Sequence, residues 1–167
     1  SFPRWGSRVV ALTPETIRDR NALREAIECQ AVRLLAGSGL TGEQERRLEF
    51  LASQVDATPR TAERESDFWN KHYEFHIAMA GFTGCASLVR ALRSVSLFYL
   101  LRVNILAKRD IFSRIAGDLH MKIVSAIRNR NPDEAERAMR DHIYLSSLTT
   151  PQSHATGESD HDSNESP

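Results

Sequence analysis

Phe68-Trp69-Asn70-Lys71-His72-Tyr73-Glu74-Phe75-His76-Ile77-Ala78-Met79-Ala80-Gly81 is the stretch on which the fold turns. Phe68, Phe75 and Met79 recur at i, i+7 and i+11, the spacing of one face of an α-helix. His72 and His76 fall on that same face, four residues apart, so their side chains stand one above the other. The apolar stripe that buries this helix therefore carries two imidazoles into the interior. The spacing predicts a helix from about Thr61 to Ala80, stopped at Gly81.

The punctuation on either side is helical as well. Thr13-Pro14 offers an N-cap with proline at the first helical position, and Gly37-Ser38-Gly39 ends that first helix. Thr41 and Gln44 form a capping box for a second helix running to about Val55. A fourth is expected after Gly84 to about Ala107 and a fifth from about Asp110 to Arg130. Asn131-Pro132, with Glu134 three residues on, starts a sixth. Only Arg8 to Leu12 has the look of an extended segment, and no internal repeat is evident. The expected class is all-α, an antiparallel bundle of about six to seven helices with a metal site in its interior.

The 167 residues suffice for one domain, whose folded form buries roughly two thirds of the unfolded chain's surface. No apolar run approaches the ~20 residues of a membrane helix. The formal charge is zero, from 22 Lys+Arg against 22 Asp+Glu, which argues against a chain built to coat nucleic acid. That zero is an average. Residues 149–167 lack large apolar side chains and are expected to form a disordered acidic tail; setting aside its four acids leaves 22 basic against 18 acidic residues in 1–150, a net +4. Two cysteines, Cys29 and Cys85, are too few for a disulfide framework, so a reducing cytoplasmic setting is expected. The start at Ser1, with no signal peptide visible, suggests a processed or truncated chain.

The remaining histidines of the helical region also face inward: His120 shares a stripe with Ala116, Ile123 and Ile127, and His142 shares one with Ala135, Ala138, Met139 and Leu145. A buried imidazole needs a hydrogen bond or a metal. One alone is most simply a satisfied core residue. Four on three helices, two of them at ligand spacing, favour a shared metal site, and imidazole suits zinc, nickel, copper or iron. His72-Tyr73-Glu74-Phe75-His76 lacks the glutamate beside the first histidine that a metalloprotease uses as base; Glu74, about 200° round the helix from His72, faces away. The helical region has no Glu-x-x-His, the Glu158-Ser159-Asp160-His161 run lying in the expected tail, and no activated nucleophile or phosphate loop is seen, so an enzyme is not expected. On the fourth helix Leu88, Leu92, Val95, Tyr99 and Leu106 make an inward stripe that includes Arg102. Arg24 lies one residue off the Leu23, Ile27, Leu34 line of the first helix. It either pairs with Glu28, four residues on, or clamps a carboxylate ligand already on the metal.

The chain resembles the ligand-binding (FCD) domain of GntR-type transcription regulators of the FadR class, over about Thr13 to Leu148. The residues that carry the resemblance are Arg24-Glu25-Ala26-Ile27-Glu28, Phe75-His76-Ile77-Ala78-Met79-Ala80, Gly84 and Leu88, His120 to Ile127, Asn131-Pro132-Asp133-Glu134-Ala135 and Met139-Arg140-Asp141-His142. The resemblance implies that His76, His120 and His142 are metal ligands, and that His72 stands where the family has an aspartate. A site of four neutral imidazoles would leave the ion its full charge and draw an anionic effector more strongly. Cys85 departs from the asparagine common in the family at that position. The resemblance further implies one divalent transition metal, zinc or nickel; a small organic-acid effector met by Arg24 and Arg102; a homodimer; and DNA binding only through an N-terminal winged helix-turn-helix domain, of which residues 1–12 would be the linker or last trace. A metal-dependent hydrolase or lyase, and a plain helical dimerisation module, are the alternatives.

Overall fold

The computed structural model describes residues 13–58, 64–95 and 118–146. Six helices make up this part: α1 Pro14–Ser38, α2 Gly42–Ala57, α3 Glu65–Phe82, α4 Ala86–Ser94, α5 Leu119–Arg128 and α6 Pro132–Ser146. There is no strand among the described residues. The expected extended segment 8–12 and the expected tail 149–167 lie outside them, as do residues 96–117, with Tyr99, Arg102, Leu106 and Ala116 of the expected stripes.

The capping residues act as their chemistry dictates. Thr13 Oγ1 accepts from the Thr16 amide at 3.3 Å and Pro14 opens α1. The Thr41–Gln44 capping box is closed in both directions, at 3.0 and 3.2 Å. Asn131 and Glu134 exchange two bonds at 3.1 Å at the start of α6. Gly39 has φ +78 and donates to Leu35 O at 2.7 Å; a Cβ there would run into the Arg130 side chain.

Three expectations need correction. α3 runs through Gly81 to Phe82, because the left-handed residue is Gly84, φ +72, and that is where the chain turns. The expected fifth helix is interrupted at Asp118, non-helical with ψ 42, so that α5 runs from Leu119, while residues 110–117 lie outside the described residues. On α1, Leu23 and Leu34 are 49% and 41% exposed, while the buried line is Ile17, Asn21, Arg24, Ile27, Glu28, Ala31, Val32 and Leu35. Arg24 and Glu28 thus lie on the inward face itself. Spacing alone could not choose between two adjacent lines of one helix, and the polar line won because it faces the histidines.

The ion pairs show the helix directions. Arg33 reaches Asp133 and Glu136 while Glu25 reaches Arg140, so α1 and α6 run antiparallel. Glu49 pairs with Arg128 while Asp56 contacts His120, so α2 and α5 do too. Leu35, Leu48, Leu51, Phe75, Met79, Ile123, Ile127 and Met139 fill the interior between them, all at most 2% exposed. At about 1.5 to 3 kcal/mol per buried side chain of this size, their burial is the main favourable term of the fold. The described residues contain no helix long and apolar enough to cross a membrane.

Candidate metal centre

His72 and His76 come from the middle of α3, His120 from the first turn of α5 and His142 from α6, and all four are at most 3% exposed. The 3.6-residue period delivers each inward, but only the packing of α3, α5 and α6 brings them together. His142 Nε2 lies 3.2 Å from His76 Nε2 and 3.3 Å from His72 Nε2. One ligand atom from each of the four residues falls within 4.8 Å of the others. Two nitrogens each ~2.05 Å from a tetrahedral ion are about 3.3 Å apart, so the closest contacts already have the ligand separation.

The surroundings disfavour the charged form of the two α3 rings. Burial, then the neighbouring His120, His76 and His142, push the His72 pKa well below its ordinary value. Burial also lowers His76, to about 4, against an upward pull from Glu28. Neutral imidazole is the form that binds a metal, and burial favours that form for His72 and His76.

Two carboxylates stand behind the rings. Asp56, in the last turn of α2, places Oδ1 2.6 Å from His120 Nδ1. Glu28, on α1, places Oε1 3.1 Å from His76 Nδ1, although off the line of a hydrogen bond. Glu28 also accepts from Arg24 Nε at 3.1 Å, and both side chains are fully buried. Burial raises the Glu28 carboxyl, but Arg24 and then His76 outweigh it, so its pKa sits below the ordinary carboxylate value. Arg24 Nη2 is 3.5 Å from His76 Nε2, and Arg24 Nη1 is buried with no hydrogen-bond partner among the described residues. His120 Nε2 and His72 Nδ1 are likewise buried without partners among the described residues. A buried lone pair such as that of His120 Nε2, in a group of four histidines whose ligand atoms lie within 4.8 Å of one another, is what a bound ion would satisfy.

The four histidines expected from sequence are therefore brought together, and Arg24 with them; Arg102 lies outside the described residues. Of the two readings posed for Arg24, the structure shows the pairing with Glu28, through Nε. Glu74 is half-exposed and paired with Arg47 on the surface, as its place on the helix required. Asp56 was not singled out from the sequence. Its helix was expected to end one residue earlier, and nothing in local spacing connects it to a histidine 64 positions away.

An all-helical domain with a histidine cluster able to hold a metal ion is the class that fold and site define. The FCD domain family model matches residues 19–145, well over half the chain. The protein belongs to the FCD domain family, the C-terminal effector-binding regulatory domain of GntR-family transcription regulators. No curated protein matches the sequence.

Proposed function

We propose that His72, His76, His120 and His142 hold one divalent transition ion, zinc or nickel, and that the ion together with Arg24 binds a small carboxylate effector. The observation that carries this reading is the buried Arg24 Nη1, without a partner and on the same side chain whose Nη2 lies 3.5 Å from a histidine nitrogen. A carboxylate with one oxygen on the ion and the other on the guanidinium would satisfy it. Four neutral donors leave the ion its charge, which favours an anion. Arg102 belongs to the same proposal on sequence grounds. A fatty acyl chain does not suit a site so dense in polar donors.

Effector binding in a homodimer of such domains would shift the relation of the DNA-binding domains attached to them, residues 1–12 being the link and 149–167 a tail outside the helical domain. Both cysteines among the described residues are free, which supports a reducing, cytoplasmic setting. The test is metal analysis of the purified protein, followed by calorimetric titration with a panel of hydroxy acids, keto acids, dicarboxylates and sugar acids. About one zinc or nickel per chain is expected, with at least one acid binding and Arg24→Ala weakening it tenfold or more. A protein that takes up neither ion, or acids that bind equally well to the chelator-treated protein, would overturn the proposal.

A further inference from the structure

We propose that Asp56 is the positioning residue of the histidine cluster: it holds His120 as the Nδ1–H tautomer, aims the bare Nε2 into the site, and fastens the start of α5 to α2 with the same carboxylate. Its consequence for metal affinity rests on the metal reading above; the tautomer does not.

Three donors converge on Asp56. The His120 ring nitrogen Nδ1 lies 2.6 Å from Oδ1, the His120 amide donates to Oδ1 at 3.4 Å, and the Met121 amide donates to Oδ2 at 3.1 Å. A carboxylate receiving two backbone N–H groups is acting as acceptor, so the short ring contact places the proton on Nδ1. Neutral imidazole has a single N–H, and Nε2 is then left as a lone pair. That Nε2 is buried, has no hydrogen-bond partner among the described residues, and belongs to the four-histidine group. Carboxylates placed in this way behind a ligating histidine set its tautomer, ring orientation and basicity.

The same contacts explain where α5 begins. Its N-cap residue, Asp118, makes no side-chain cap bond, and the first-turn amides of His120 and Met121 are satisfied from α2 instead. The first turn of α5 and the aim of its histidine are thus one unit. His72 is the contrast within the same cluster. Its Nδ1 is buried without a hydrogen-bond partner, and the Phe68 and Trp69 rings lie against it with centroids at 5.4 and 6.4 Å. Packing holds His72, whereas a carboxylate holds His120.

The tautomer is measured by long-range nitrogen-15 NMR of the imidazoles in the metal-free wild-type chain, and zinc affinity by chelator competition in wild type, Asp56→Ala and Val124→Ala. Val124 is a buried α5 residue that serves as a control for simple loosening of that helix. We expect His120 protonated at Nδ1, zinc affinity lowered about 10- to 100-fold in Asp56→Ala, and a change of less than about threefold in Val124→Ala. His120 protonated at Nε2 in the wild type would overturn the inference, as would Asp56→Ala binding zinc like the wild type or Val124→Ala losing as much as Asp56→Ala. A wild type that takes up no zinc would sink the metal reading, and the tautomer alone would then decide the role of Asp56. The tautomer also decides if Asp56→Ala fails to fold.

Discussion

The two sides of α1 use the same charged groups in opposite surroundings. On its outer side Arg33 pairs with Asp133 and Glu136 of α6 at 2.7 and 2.8 Å, with the Arg33 and Asp133 side chains 40% and 80% exposed, and Glu25 pairs with Arg140. On its inner side Arg24 pairs with Glu28 at 3.1 Å with both side chains at 0%. Water screens the outer pairs, and each contributes about 0 to 1 kcal/mol. The inner pair has given up its hydration, so either partner left alone is a buried charge costing about 3 to 5 kcal/mol. The outer side sets how α1 and α6 align. The inner side keeps an arginine and a carboxylate against the histidines at a cost that stability alone would not select, because apolar residues of similar size would do as well.

The sharpest break of that comparison is Glu28→Gln, which strands the Arg24 charge. In chelator-treated protein we expect a loss of about 3 to 5 kcal/mol in urea denaturation; a loss below about 1 kcal/mol would put the buried pair on a par with the surface ones.

Acidification is expected to come next. Burial lowers the His76 pKa to about 4 and moves His72 in the same direction, whereas the unfolded chain protonates histidine near 6.5. Above pH 6.5 both states are neutral and stability is full. Between 6.5 and about 4 the unfolded chain takes up protons that the folded one refuses, so stability falls as pH falls, by about 3 kcal/mol for His76. In the outer seam, hydrogen bonds from Arg140 and Arg33 hold the Glu136 pKa below the ordinary carboxylate value, so that group favours its charged form instead. Denaturation of the metal-free protein at pH 7 and pH 5 samples about 2 kcal/mol of that loss for His76, and equal stability at the two would contradict it. Arg33→Ala should have the smallest effect, within about 1 kcal/mol and shrinking as salt is added; a loss of several kcal/mol would mean that the seam is not screened as its exposure requires.

Much of both regions was legible in the sequence. The capping signals at Thr13, Thr41 and Asn131 marked three helix starts, because a side chain that satisfies orphan amides acts over only three residues. The inward placement of His72, His76, His120 and His142 followed from helical period alone. The Leu23, Ile27, Leu34 line misplaced the buried face of α1, since on a helix with both apolar and charged lines the neighbours decide which is covered. The break at Asp118 was hidden for a related reason: the groups that start α5 there come from α2.

By itself, then, the sequence determined an all-helical domain, the caps of three of its helices, four inward histidines and an arginine with a carboxylate within reach four residues on. These follow from a periodicity and a capping chemistry that operate within a few residues. Only the tertiary structure decided that the four rings meet, that Glu28 faces Arg24 and His76 together, and that Asp56 holds His120. The contacts of His142 with His72 and His76, of Asp56 with His120 and of Glu28 with His76 join residues 70, 66, 64 and 48 positions apart, and no local rule of spacing reaches across the loops that separate them.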